Sequence, residues 1–225
     1  MTVEPSVLSY VEPARDCPLC PRLVTFRHES QEKYPKFYNG PVPSWIPEAV
    51  DGGAGSVRLL VVGLAPGMKG ANATGRPFTG DWAGDLLYAT LAKFNFTEGV
   101  FAAHPDDGLK LKGCAITNAV RCVPPQNKPV GAEINTCRQF LTQTLEALPN
   151  LKVMVTLGKI AHDSLCRTLG ERVAAHPFAH NSEHVMGGYA VVSSYHCSRY
   201  NTNTRRLTPQ MFEDVFARAR ALADV

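Results

Sequence analysis

Two loops and four cysteines carry the residues whose chemistry stands out in this chain. Residues 63–85 read GLAPGMKGANATGRPFTGDWAGD. Six glycines and two prolines in this span fix a tightly turned loop, because glycine reaches left-handed backbone angles and proline locks φ. The segment is neither a phosphate-binding P-loop nor a G-x-G-x-x-G dinucleotide loop. A tight connection without chemistry is the bland alternative. Within it, Asp81 stands where a helix begins. It could cap that helix, or its carboxylate could stabilise a developing positive charge or orient water. Asp85 reads as a solvated charge in the first helical turn. Phe78, taken alone, reads as a core residue. Asn118 closes the apolar run CAITNAV. Its carboxamide both donates and accepts, although Asn also simply forms turns.

The second loop, residues 193–207, reads SSYHCSRYNTNTRRL. His196 could donate to a developing oxyanion, whereas a lone His after a strand is more often structural. Arg199, Tyr200, Arg205 and Arg206 put basic residues beside an aromatic ring. That suits phosphate contact and insertion into a duplex; a solvated basic loop is the plain alternative.

The chain has seven cysteines. Cys17 and Cys20 form C-x2-C, Cys122 lies in RCVPPQNKP, and Cys137 lies fifteen residues further on. No secretion signal is visible, so the chain is expected in a reducing cytosol, where a disulfide framework is excluded. Metal ligation is the alternative. On spacing alone zinc is favoured over an iron–sulfur cluster, which also takes four thiolates. Cys114, Cys166 and Cys197 read as unpaired, with Cys114 and Cys166 in the core.

These residues need a scaffold. With 225 residues and 44% hydrophobic content, one domain over residues 1–225 fits. A formal charge of +3 permits a nucleic-acid partner without demanding one. No apolar run is long enough to span a membrane. Residues 1–55 read as irregular, with short helix-compatible pieces. Strands are expected at 57–62, 114–120, 153–157 and 189–195, and helices at 81–95, 131–148, 159–169 and 209–223. Ile134, Cys137, Phe140, Leu141, Leu145 and Leu148 form the apolar stripe of the second helix; Thr208 and Pro209 open the last one. The alternation predicts a three-layer α/β/α sandwich around a mainly parallel four-stranded sheet. Sites in such sheets lie at the carboxyl ends of the strands, where the glycine-rich loop, Asn118 and His196 all fall.

GLAPG followed by GRPFTGD and GDLL, the His196-Cys-Ser loop with Asn201-Thr202, and the cysteine pattern together resemble the family 4 and family 5 uracil-DNA glycosylases along the whole chain. The longer first motif, with GANATG between its halves, resembles family 5, the type B enzymes. So does Ala65, where family 4 carries an acidic residue. Cys197 departs from the usual proline of the second motif. The resemblance implies a monofunctional glycosylase of base-excision repair. It would hydrolyse the N-glycosidic bond of uracil and related deaminated bases, such as hypoxanthine, in DNA. It also implies that Phe78 stacks on a flipped base, that Ala65 and Asn118 line and read it, that His196 stabilises the departing anion and that Asp81 assists the sugar or the water. Arg199, Tyr200, Arg205 and Arg206 would contact DNA, with Tyr200 as the wedge. Cys17, Cys20, Cys122 and Cys137 would hold a 4Fe–4S cluster tying the N-terminal segment to the sheet. The expected partner is DNA containing a damaged base, and the expected state is a cytoplasmic, nucleoid-associated prokaryotic monomer. No lysine nucleophile stands out, so lyase activity is not expected. The alternatives are a uracil-DNA binding or covalently capturing protein with little turnover, and a zinc-stapled nucleic-acid module.

Overall fold

The computed structural model describes residues 11–224; residues 1–10 and 225, which the expected single domain includes, lie outside the described residues. In chain order the elements are α1 (Pro21–Lys33), β1 (Leu59–Gly63), α2 (Ala71–Thr74), α3 (Trp82–Lys93), β2 (Thr97–Glu98), β3 (Lys110–Leu111) and β4 (Cys114–Asn118). They continue with α4 (Gly131–Glu146), β5 (Val153–Leu157), α5 (Lys159–Thr168), β6 (Glu183–Met186), β7 (Tyr189–Ser194), α6 (Arg199–Asn203) and α7 (Pro209–Ala223).

The main sheet has the order β4-β1-β5-β7-β6. The first four strands are parallel, and β6 pairs antiparallel with β7. This is the expected mainly parallel α/β sheet, with five strands where four were expected. The additional strand is β6. Gly187 and Gly188, at φ 55° and 88°, supply the two left-handed residues that a two-residue hairpin requires.

Every residue of β1, β4 and β5 is buried, as a strand covered by helices on both faces must be. Side chains alternate between the faces. Leu59, Val61, Ile116 and Val155 pack with Leu87 and Leu91 of α3 and with Phe212 and Phe216 of α7. Leu60, Val62, Ala115 and Met154 pack with Leu141 and Leu145 of α4 and with Leu165 of α5. Thr208 caps α7, its Oγ1 accepting from the Met211 N–H at 3.2 Å.

The N-terminal part, which composition reads as irregular, contains the 13-residue α1. Polar contacts hold it down. Arg22 donates through Nε and Nη2 to the two carboxylate oxygens of Glu133, each at 2.7 Å. Glu133 Oε2 also accepts from the Val130 N–H at 2.8 Å, so one carboxylate both caps α4 and anchors α1. Arg121, buried beyond β4, donates to Ser44 Oγ at 2.6 Å and to Thr144 Oγ1 at 2.7 Å. It thereby joins the segment after α1 to α4. Among the described residues no helix is long and apolar enough to cross a membrane.

Candidate active site

Gly63 ends β1 directly beside Asn118, which ends β4. The ladder continues past both strands, with Ala119 N–H donating to Gly63 O and Val120 N–H to Leu64 O at 2.9 Å each. The glycine-rich loop and Asn118 therefore leave the sheet side by side. Two strands along, β7 ends at Ser194 and delivers His196. Between them lies a cleft of about 400 Å³, lined by Ala65, Phe78, Asp81, Asn118 and His196 among others. All five residues expected to do chemistry or bind a base thus face one space. Of the four expected to touch DNA, Arg199 lines the cleft. Tyr200 is 72% exposed on α6. Arg205 and Arg206 follow that helix on the surface, with the Arg206 guanidinium 4.6 Å over the Tyr195 ring.

Phe78 has φ 52°, a left-handed conformation that a bulky residue adopts only when its surroundings force it, at a cost of about 1–3 kcal/mol. The forcing groups are specific. Tyr88 Oη donates to Pro77 O at 2.5 Å, and Gly84 leaves no room for a side chain against the Phe78 carbonyl. Arg76 donates through Nε to Thr79 Oγ1 at 2.8 Å and through both Nη atoms to the Asp107 carboxylate, each at 2.8 Å. Asp107 is held in turn by the N–H groups of Ala102 at 2.9 Å and Leu109 at 3.0 Å. The Arg76 guanidinium lies 4.6 Å over the Trp45 ring. Opposite Phe78 the floor is bare backbone. A methyl group on Gly63 would stand 2.6 Å from Phe78 Cζ and would also collide with Asn118 Oδ1. The His196 ring lies 6.2 Å from that of Phe78, the planes 29° apart.

The polar atoms of the cleft are left open. Asn118 Oδ1 and Asp81 Oδ1 are both buried without a hydrogen-bond partner. Asp81 occupies the N-cap position of α3, but its side chain makes no cap bond. Instead it lies over Gly67 and Gly70, where a Cβ would strike its carboxylate. Burial raises the Asp81 carboxyl above its ordinary range. Burial lowers His196 to about 4, so the ring is neutral near pH 7 and can donate a hydrogen bond without carrying charge. Its backbone is fixed by Asn201 Nδ2, which donates to His196 O at 2.8 Å. Cys197, the departure from the expected proline, is fully buried in the core.

Two cleft residues escape sequence reasoning. Trp82, 48% exposed at the rim, donates from Nε1 to Thr202 Oγ1 at 3.0 Å and sits 5.6 Å beneath the Arg199 guanidinium, joining α3 to α6. Asn127, on the turn after Cys122, lines the cleft at φ 55°. The Pro-Pro-Gln-Asn run marks a turn, but nothing in it says where the turn points.

Cys17, Cys20, Cys122 and Cys137 line one pocket with the apolar residues Leu23, Val120 and Phe140. Ala65 packs against this cluster from the cleft side. Among the described residues no group of three or more His, Cys, Asp or Glu side chains is drawn together tightly enough to hold a metal ion. All four cysteines are free. Burial pushes the Cys122 thiol up to about 12 and the Cys137 thiol up to about 11. Cys114 and Cys166 lie buried on opposite faces of the sheet.

Comparison with known proteins bears on this arrangement. The family model of the uracil DNA glycosylase superfamily matches residues 50–220. The type-5 uracil-DNA glycosylase of Thermus thermophilus is 41% identical over 216 residues, covering 96% of this chain and 97% of that protein. The type-5 enzyme of Pyrobaculum aerophilum is 36% identical over 210 residues, covering 92% and 88%. That of Mycobacterium bovis is 36% identical over 218 residues, covering 93% and 79%.

Proposed function

Because the chain belongs to the uracil-DNA glycosylase superfamily, among its type-5 members, we propose that it excises uracil from DNA by hydrolysing the N-glycosidic bond in base-excision repair. The observation that carries this reading is the pair of buried, unpartnered acceptors, Asn118 Oδ1 and Asp81 Oδ1, in one cleft with an aromatic ring and a neutral imidazole. A base can enter such a cleft only after leaving its stack. Phe78 offers its ring face to the base. Asn118 accepts from the ring N–H of uracil and donates to the neighbouring carbonyl. As the glycosidic bond breaks, negative charge collects on the base and positive charge on the sugar. His196 donates to the first, and the Asp81 carboxylate stabilises the second or orients the attacking water. Hypoxanthine presents a comparable N–H and carbonyl edge, so we extend the reading to related deaminated bases.

The reading treats residues 1–225 as a single monomeric domain with DNA lying across the carboxyl ends of the strands. Arg199, Tyr200, Arg205 and Arg206 flank the cleft on that side, and Tyr200 is the exposed ring available as a wedge. The donor set Cys17, Cys20, Cys122 and Cys137 fits a 4Fe–4S cluster: four thiols, the ligands such a cluster takes, share one pocket with the apolar Leu23, Val120 and Phe140. When bound, the cluster would supply a cross-link between the segment before α1 and the loop after β4. Iron and sulfide each near four per chain, with a brown protein, support this; zinc at one per chain supports the zinc-stapled alternative.

The deciding experiment incubates the protein with a duplex containing one uracil and then treats it with alkali. Strand cleavage only after alkali, with free uracil released, is expected. A heat-stable protein–DNA adduct without free uracil would instead establish the capturing alternative.

A further inference from the structure

We infer that a second groove, beside the cleft and away from α6, binds the nucleotide adjoining the flipped one, so that DNA is gripped on both flanks. This rests on the glycosylase reading. The groove measures about 360 Å³, close to the size of the cleft itself. Its walls are Phe26 and Lys33 on α1, Tyr34 at the end of that helix, Met68 in the glycine-rich loop, and Gln126 and Asn127. Asn127 also lines the cleft, and Met68 follows Gly67, another cleft residue. The two spaces therefore adjoin.

The topology places them in line. The sheet runs β4-β1-β5-β7. The basic segment containing Arg199 follows β7, whereas Asn127 follows β4, at the opposite end of that row. A strand whose nucleotide occupies the cleft therefore sends one neighbour towards α6 and the other towards the groove.

The chemistry of the walls suits a nucleobase. Aromatic rings accept any base by stacking; Phe26 and Tyr34 border the groove, Tyr34 itself stacked on Phe37 with ring centroids 4.8 Å apart, so a base extends that stack. Lys33 Nζ lies 5.5 Å over the Tyr34 ring, adding positive charge at the rim. Gln126 and Asn127 carry amides that pair with base edges. Glu29, which also borders the groove, disfavours a phosphate, so the base and its sugar are the parts admitted. Gln126 and Asn127 stand at φ 54° and 55°, two consecutive left-handed residues other than glycine. Such strain collects where a turn is held to present groups to a ligand.

The test uses single-stranded oligonucleotides with one uracil, trimmed stepwise on the 5′ side in one series and on the 3′ side in another. Excision is measured for the wild type, Tyr34→Ala and Lys33→Glu; Lys33 is exposed, so its substitution leaves the fold alone. In one series, removing the neighbouring nucleotide is expected to cost the wild type about tenfold in kcat/KM, carried by KM, the size of one stacked base. Both variants should lose that advantage on the full-length substrate and match the wild type on the trimmed one. Variants with undiminished dependence on the flanking nucleotide would overturn the groove while leaving the glycosylase reading intact. If the wild type releases no uracil, that reading fails. The groove is then judged by fluorescence anisotropy with the same oligonucleotides: weaker binding by Tyr34→Ala supports it, and unchanged binding overturns it.

Discussion

Asp107→Ala is expected to damage the cleft without touching any residue that lines it. The Asp107 side chain is 1% exposed and that of Arg76 is 8% exposed. The carboxylate accepts from both terminal nitrogens of Arg76 and from two backbone N–H groups. Its removal strands a guanidinium whose remaining hydrogen-bond partners are Thr79 Oγ1 and Pro105 O. Breaking a buried ion pair from one side costs about 3–5 kcal/mol, because the other charge stays buried and uncompensated. At about 2–4 °C per kcal/mol for a chain of this size, the melting temperature should fall by about 10 °C. The local consequence follows from Phe78. Its left-handed backbone persists because Arg76, Tyr88 and Gly84 leave it no alternative, and losing the first of these lets the ring move off the cleft floor. Uracil excision, measured well below both melting temperatures, should fall by at least about tenfold, corresponding to roughly 1.4 kcal/mol of lost positioning. Circular dichroism melts and single-turnover excision read the two effects separately. An unchanged melting temperature would show that the pair contributes nothing. A lowered one with full activity would show that the clamp does not position Phe78.

Asp81→Asn should raise stability by about 1 kcal/mol, because burial disfavours the charged form of this carboxyl and a neutral amide carries no such cost, while excision falls by about a hundredfold or more. A destabilised variant, or one working at the wild-type rate, would contradict this. Gly63→Ala should cost about 1–3 kcal/mol by overpacking and should weaken uracil binding, since the methyl stands 2.6 Å from Phe78 Cζ; isothermal titration with free uracil reads the second effect. Stability should also depend on pH through three histidines. His196 is lowered to about 4, and burial lowers His162 and His180 too. The unfolded chain, whose histidines titrate near about 6.5, binds more protons than the folded one in that window. The stabilisation is therefore complete above about pH 6.5 and is lost as pH falls towards 4. A flat melting temperature between pH 7 and pH 5 would refute it.

What the sequence reveals and what it hides follow from how each feature is stabilised. The strands β1, β4 and β5 are legible because burial along their whole length makes them largely apolar runs, and β7 because it opens on the run YAVV. The expected 153–157 and 209–223 coincide with β5 and α7. The helix α1 is hidden because it buries only Leu23, Arg27 and Ser30, so no apolar stripe marks it; polar anchors such as Arg22 to Glu133 hold it instead. β6 has a single buried residue, and its legible signal is the Gly187-Gly188 turn rather than its own pattern. The clamp of Arg76 on Asp107 spans 31 positions and leaves no local trace. Asp81 reads correctly as a helix boundary, yet its side chain makes no cap bond and its carboxylate packs over the bare surfaces of Gly67 and Gly70.

The strain in the loops has a direction. Among the described residues, eight other than glycine have positive φ, and four of these are Asn, which tolerates that region. The remaining four are Phe78, Ala103, Gln126 and Arg205. Phe78 floors the cleft, Gln126 borders the adjoining groove, and Arg205 follows the basic helix. Ala103 lies in the segment whose Ala102 N–H binds Asp107, the residue that clamps Phe78 in place. A fold selected for stability alone would place Gly or Asn at such positions. It would also give Asp81 Oδ1 and Asn118 Oδ1 partners of their own. Keeping strained backbone and open acceptors around a single cleft costs stability in the free protein. A ligand that donates an N–H to Asn118 Oδ1 and fills the space recovers part of it, so free uracil should raise the melting temperature more for the wild type than for Asn118→Ala, where that open acceptor is gone.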